Sequence, residues 1–426
     1  MPRRLIPATV ALALAASGFA VMAPATSAPA EPSTTSAVAK KASTRFAFTA
    51  TGYGTRVIGG MLPAESGTTA FTSIACTNET GKNNTNHVAE VNVPGLGTVA
   101  GVDTEVSTKK VDGAVISESR HDVASVQLLD TPLGSLSLTG LHALSRVTHD
   151  DKGYHAYNET SVADIVLTPA GGLPPIAIPI PSLGMPITIP GLATITLGKG
   201  IAKERADGAL AQANAVFIHV IPTDTKVKIA RSSAKIDEGV KSGIFNGSSS
   251  PIRAAVVGDL VDVGRAVNSI MPCQGTDGVL KEKSAAGVNL ADQIVVGAAY
   301  SRQTAQQTKG RAVGYEESGV AEVNIANQLI INAINARATV ARSRDGLRRS
   351  IKGTTIGAIT FNGEPMALPD LDGFEIPGVA RIDTNVVKRL PTGISVIAIQ
   401  VTLLDGTLAV VNIGEARMRV RAANNN

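Results

Sequence analysis

The chain has 426 residues, room for two domains of ordinary size or one large all-β unit. With 44% hydrophobic and 17% charged residues it carries enough apolar material for a packed core, which weighs against global disorder. Aromatic residues make up only 3%, with no Trp, five Tyr and eight Phe, against the sugar, nucleic-acid and peptide readers that rely on aromatic platforms.

Residues 1–30 read as a secretory signal. Arg3 and Arg4 form the basic n-region, Leu5 to Ala23 is apolar and uncharged, and Ala28-Pro29-Ala30 fits an A-x-A cleavage site before Glu31. Pro7 and Gly18 interrupt the apolar run, against its retention as a stable membrane span. Cleavage removes both arginines and so takes two charges from the net +4, leaving nucleic-acid binding little electrostatic support. Residues 31–43 follow as a Pro- and Ala-rich leader.

The rest of the chain repeats itself. At a constant offset of 197, Arg56 matches Arg253, Cys76 matches Cys273, Gly81 matches Gly278, Val99 matches Val296, Gly113 matches Gly310, and Val123 and Val126 match Val320 and Val323. The offset falls to 193 at Asp151-Lys152-Gly153 against Arg344-Asp345-Gly346, and to 187 at Ile189-Pro190-Gly191 against Ile376-Pro377-Gly378. Small loop deletions produce such drift in a duplicated domain. The expected organisation is repeat 1 at 44–238, a flexible joint at 239–250, repeat 2 at 251–422 and a disordered tail at 423–426.

Each half reads as β. Val115 to Leu128 is a strand with Glu118, Arg120 and Asp122 on one wet face. Leu136 to His149, a turn at 150–153, and Tyr154 to Leu167 make a long hairpin. Ala213 to Ile221 and Thr225 to Ala230 make another. Around Val320 to Val340 the helical period is weak, and Asn324, Asn327, Asn332 and Asn335 argue against a helix. Ile397, Ile399, Val401 and Leu403 alternate with polar or small residues, and Asp405-Gly406 turns the chain back into Leu408 to Val420. The expected fold class is all-β: two homologous antiparallel domains, sandwich or barrel-like.

Ile165 to Gly198 carries no charge, but its seven prolines forbid a regular helix. It reads as an extended arm that either packs on its own domain or offers Ile176, Ile178, Ile180, Met185 and Ile187 as an apolar docking strip. The two cysteines occupy one position in both repeats. They are expected to form a disulfide, Cys76 to Cys273, near a pseudo-two-fold axis; two buried free thiols are the alternative.

All six histidines lie in the first half. His149 and His155 flank a hairpin tip with Asp150 and Asp151, a conceivable metal or ligand position. The matching tip has Arg342 and Arg348, which favours a solvated turn, so no metal is assigned. Asp370, Asp372 and Glu375 could offer oxygen ligands to Ca²⁺ but lack EF-hand spacing. Nucleophile-elbow, zincin, P-loop and dinucleotide motifs do not occur. In Ser119-Arg120-His121-Asp122 the His and Asp point to opposite faces of a strand and make no dyad. Glu90, Asp103 and Glu105 could pair across strands for glycoside hydrolysis, but a sugar cleft without Trp would be unusual.

Several motifs together resemble the choice-of-anchor P family of exported actinobacterial proteins. They are Gly-Tyr-Gly-Thr-Arg-Val at 52–57, the stretch Asn86 to Val99, Pro-Cys-Gln-Gly-Thr-Asp-Gly at 272–278, and Ala-Gly-Val-Asn at 286–289. The resemblance implies a common extracellular region joined to varied C-terminal anchors, and no catalytic residue. The chain ends Ala422-Ala423-Asn424-Asn425-Asn426, without a sorting motif or apolar tail, an expectation of release or partner-mediated retention. The overall expectation is a secreted or envelope-associated, non-enzymatic β-repeat protein with a structural or interaction role, no cofactor and an unidentified partner. A ligand- or metal-binding module is the alternative, and a secreted hydrolase stands behind it.

Overall fold

The computed structural model describes residues 41–423 apart from 59–64, 67, 94–96, 132–133, 181, 183, 192, 222–223, 256–260, 291–293, 369–371 and 405–409. The signal, all but the end of the leader, residues 424–426 and the Asp405-Gly406 turn thus lie outside the described residues.

The first half supplies β1 (Ala42–Ile58), β2 (Glu65–Ser66), β3 (Thr72–Thr80), β4 (Lys82–Val93), β5 (Gly97–Val111), β6 (Ala114–Thr131), β7 (Gly134–Asp150), β8 (Gly153–Ser161), β9 (Asp164–Pro169), β10 (Ile176–Ala177), β11 (Pro186–Ile189), β12 (Ala193–Arg205), β13 (Gly208–Val220) and β14 (Thr225–Glu238). The second half supplies β15 (Gly243–Ala255), β16 (Val261–Ala266), β17 (Ser269–Ile270), β18 (Lys281–Ala285), β19 (Val288–Leu290), β20 (Ile294–Val296), β21 (Ala299–Thr308), β22 (Arg311–Ile325), β23 (Leu329–Ser343), β24 (Gly346–Ser350), β25 (Ile359–Phe361), β26 (Glu364–Met366), β27 (Phe374–Ile376), β28 (Ala380–Leu390), β29 (Gly393–Leu403) and β30 (Val410–Ala422).

Period-two alternation makes these strands two-faced. In β6, Val115, Ser117, Ser119, His121 and Val123 are buried while Glu118, Arg120 and Asp122 face outward. The inner faces stack into sandwiches. The seven-stranded sheet β10-β9-β7-β6-β5-β4, with β8 also on β7, covers the first half, and its Val99, Val123 and Leu138 meet Ile195, Ile218 and Ile229 of β12 to β14. The nine-stranded sheet β18-β21-β22-β23-β25-β26, with β20 and its partner β19 on β22 and β24 on β23, covers the second half, where Val320, Val323 and Val340 meet Val396, Ile413 and Met418. Each fully buried Val, Ile or Leu contributes about 1.5–3 kcal/mol, so a branched aliphatic core needs few aromatics. Phe48 and Phe245, matched at the 197 offset, are both fully buried.

The strand order of residues 42–238 recurs in 243–422. The turn residues agree in conformation: Gly113 and Gly310 have φ 85° and 78°, and Gly191 and Gly378 have φ 73° and 70°. These left-handed values suit glycine. Matched Val99 and Val296, and matched Val126 and Val323, are buried in both halves.

A fourteen-stranded sheet runs through both halves in the order β11-β12-β13-β14-β1-β2-β16-β15-β30-β29-β28-β27, with β3 paired to β1 and β17 to β15 off this path. It crosses from one half to the other where Ser66 pairs with Val261 and Glu65 with Asp262, and residues 39–426 form one unit.

Two details depart from the sequence expectation. Most of the supposed flexible joint at 239–250 is ordered: β15 begins at Gly243 and pairs along β30, and Gln307 Oε1 accepts from the backbone N–H of Lys241, Ser242 and Gly243 at 3.0 Å each. Its small residues allow close packing instead of mobility; a Cβ on Gly243 would lie 2.6 Å from Ala312 Cβ. The run Tyr154 to Leu167 is two strands, because β8 pairs with one stretch of β7 and β9 with another. Of the two expected architectures the sandwich is the one observed.

Candidate functional site

The predicted disulfide is present. Cys76 and Cys273 are bridged with Cα atoms 5.3 Å apart. Both are buried, and Ala47, Val240 and Ile244 pack around them at the seam between the halves. The backbone holds the bridge from both sides: Cys273 O accepts from Phe245 N–H at 2.9 Å, and the Arg421 guanidinium donates to the Cys76 carbonyl.

The proline-rich arm divides its apolar residues. Ile176 pairs with Leu167 in a short β10–β9 bridge, yet its side chain is 53% exposed. Ile178 and Ile187 pack against the first core. Ile180 and Met185 stand 44% and 59% exposed. Ile178 and Ile187 thus hold the arm to the first core, while Ile176, Ile180 and Met185 face outward.

His149 and His155 do not act as a pair. His149 is half-buried, with its ring centroid 4.5 Å from both Phe46 and Tyr154. The solvated turn expected for it is therefore corrected to a ring cluster at the end of the first sandwich. His155 Nε2 lies 3.2 Å from Asp150 Oδ1 at the exposed tip. Asp370 lies outside the described residues; Asp372 Oδ1 accepts from Thr384 N–H at 2.8 Å, and Glu375 pairs with Arg381 at 3.3 Å. No group of three or more metal-ligating His, Cys, Asp or Glu is gathered among the described residues.

Two titratable groups, His121 of the Ser119–Asp122 run and Glu316, are buried. His121 is fully buried between Thr104 and Ser119. Ser119 Oγ donates to Thr51 O at 2.9 Å, so at 3.1 Å it accepts from His121 Nε2–H, and Nδ1 accepts from Thr104 Oγ1 at 2.9 Å. Burial drives the imidazole pKa down to about 3. The ring is a neutral structural link, and its neighbour Asp122 points outward. Glu316, also fully buried, accepts from Ser249 Oγ at 2.8 Å, and burial raises its pKa to about 9. Its Oε1 and that of Gln303 across the strand pair lack donors. A neutral acid suits that site, since it carries a hydrogen that a carboxylate lacks.

The outer face of the first sandwich carries the most concentrated polar constellation. His87 lies opposite Asp103, Asp103 opposite Asp122, and Asp122 opposite His142, so four titratable side chains form one rung across β4 to β7. His87 Nδ1 and Asp103 Oδ1 are 2.8 Å apart, and His142 Nδ1 and Asp122 Oδ1 are 2.6 Å apart. Like charges directly opposite in a sheet repel; here each carboxylate has its own histidine, and Arg120 adds a bond to Asp122 at 2.9 Å. The rung borders a cleft of about 280 Å³. Of the hydrolase candidates, Asp103 belongs to this rung, Glu105 faces Arg120 across the sheet, and Glu90 is exposed opposite Ala100. The Asp112-Gly113 turn already contains the Asp103–Asp122 register, since a two-residue hairpin pairs residues equidistant from its turn. The matching rung of the second half is Ser284, Tyr300, Gly319 and Asn335. It lines a wider groove of about 810 Å³, and Tyr300 Oη lies 3.2 Å from Asn335 Oδ1.

Compared with protein-family models and with curated proteins, the chain finds no match in either set.

Proposed function

We propose that this chain is an exported, non-enzymatic β-repeat protein with a structural or interaction role at or outside the cell envelope. The observation that carries the reading is the buried Cys76–Cys273 bridge joining two duplicated halves, since such bridges persist in oxidising compartments. The signal-like residues 1–30 and the resemblance to the choice-of-anchor P family agree with it. The non-enzymatic part rests on placement. The Ser119–His121 pair is fully buried, out of reach of a substrate, and Asp103 and Asp122 each pair with a histidine.

The test is a pull-down from envelope and culture-supernatant fractions with the disulfide-bonded protein starting at Glu31, alongside N-terminal sequencing of the exported form. A specific envelope or extracellular partner and a new N-terminus near Glu31 are expected. A protein retained in the cytoplasm with reduced cysteines would overturn the reading.

The His87–Asp103–Asp122–His142 rung favours one second reading, a ligand-binding module in the histidine-bearing half. Loss of a bound small molecule or metal on replacing His87 and His142 by Gln would favour that reading, and an unchanged binding profile would remove it.

A further inference from the structure

The seam beside the disulfide holds a cleft whose charge is unbalanced. On β30 the alternate residues Met418 and Val420 point into the core, fully buried, which turns Arg417, Arg419 and Arg421 to the other face. Asn246 and Ile244 of β15 lie opposite Arg419 and Arg421. The first half closes the other side with Ser73 to Ala75 of β3 and Lys82 and Asn84 of β4, enclosing about 290 Å³. Among the described residues three cations line this space and no carboxylate does.

The acid beside Lys82 is already engaged. Glu79 lies 2.8 Å from Lys82 Nζ. The hydrogen bond from Lys82 is the largest cause holding its carboxyl below the usual range, and the fields of Arg421 and Lys41 add to it. Arg421 also donates to the Cys76 carbonyl. Among the described residues Arg419 shows no comparable partner: its Nε is buried and meets no acceptor. Leaving a guanidinium N–H dry and unpaired is unfavourable. Its placement depends on Gly393 in the facing strand, where a Cβ would lie 2.8 Å from Arg419 Cγ.

The other repeat shows what the same sheet face looks like when neutralised. Ala230 and Gly414, with φ 47° and 64°, mark the same irregularity in β14 and β30. Aligned there, Arg419 matches Lys235 and Arg421 matches Asp237. In the first half Asp237 binds both Lys235 and Arg205, the latter at 3.0 Å. In the second half Arg421 stands where that acid would be, and no described carboxylate takes its place in the cleft lining.

We propose that this seam cleft binds an oxyanion group, phosphate, sulfate or carboxylate. Arg419 is its principal ligand through the planar guanidinium fork. Asn246 and Thr392 supply neutral donors, and Lys82 and Arg421 supply the field.

The test is calorimetric titration of the oxidised protein with sodium phosphate, sulfate and acetate at constant ionic strength, with chloride as reference. Sulfate and phosphate stabilise proteins non-specifically, so the comparison is with variants. Saturable binding of at least one probe is expected, weakened at least tenfold in Arg419→Gln and unchanged in Arg348→Gln, a substitution in β24 of an arginine that does not line the cleft. Should the Gln variant fail to fold, Arg419→Lys keeps the charge but loses the fork, and weakening of several-fold is expected. No saturable binding in the wild type, or equal binding in the Arg419 variants, overturns the proposal.

Discussion

Glu316 stands in the second sandwich where Ser119 stands in the first. Both point inward, from β22 and β6, and their cross-strand partners Gln303 and Val106 correspond as well. The buried polar layer therefore holds a neutral histidine in one repeat, beside Ser119, and a carboxyl in the other.

These two groups set opposing pH dependences. Below about 6.5 the unfolded chain binds a proton on His121 that the native protein refuses until about pH 3, so stability falls as pH drops through that window. Above about 4.5 the unfolded chain releases a proton from Glu316 that the native protein keeps until about pH 9, so stability falls as pH rises through that window. The slopes cancel between the two unfolded values. Urea denaturation at stepped pH should show a broad maximum near pH 5–6 and decline on both sides, by at most about 1.4 kcal/mol per pH unit for each group. Glu316→Gln should flatten the alkaline limb and leave the acid limb. An alkaline limb as steep as the wild type's would refute the assignment.

Gly52 has no room for a side chain, because a Cβ there would lie 1.4 Å from His121 Nε2. The ring is held at both nitrogens and cannot yield. Gly319 has a similar conflict with Tyr300, at 2.4 Å from the ring, but that ring lies on the outer face and can swing away. Gly52→Ala should cost about 3 kcal/mol or more, and Gly319→Ala about 1 kcal/mol. Thermal unfolding of the two variants decides; equal losses would contradict the packing argument.

Closing a loop of 197 residues stabilises by about 5 kcal/mol on chain entropy alone, and removal of a native bridge commonly costs about 2–5 kcal/mol. The double variant Cys76→Ser, Cys273→Ser should lose stability in that range while keeping its β circular-dichroism signature. Alkylation without reductant, read by intact mass, should label neither cysteine of the wild type.

The arm offers a paired test. Ile178 packs on the first core, and its N–H donates to Ile165 O at 2.8 Å, whereas Ile180 is exposed. Ile178→Ala should cost about 1–2 kcal/mol, below the range for a fully buried isoleucine. Ile180→Ser should stay within about 0.5 kcal/mol. Denaturant midpoints measure both, and a large loss at Ile180 would show that the arm is covered more fully than described.

Strand alternation made much of this fold legible. The wet face of Glu118, Arg120 and Asp122 and the dry face of Val115 and Val123 follow from a period of two. The Cys76–Cys273 pairing followed from the repeat register. The environment of His149 is not legible in sequence, because its tip looks polar while Phe46 and Tyr154 reach it from separate strands. The order of the 239–250 segment is not legible either, because Gly and Ser mark flexible linkers and close strand contacts equally well.

Local periodicity, turn residues and self-similarity established, from the sequence by itself, a duplicated antiparallel β protein with few aromatics and one candidate bridge. Those signals travel along the chain, so one dimension preserves them. The tertiary structure alone decided what lies across strands and between halves: the His87–Asp103–Asp122–His142 rung, the burial of His121 and Glu316, and the lone Arg419 at the seam. Each depends on groups from strands distant in sequence sharing one dielectric environment, and solvation and charge balance are properties of that shared space.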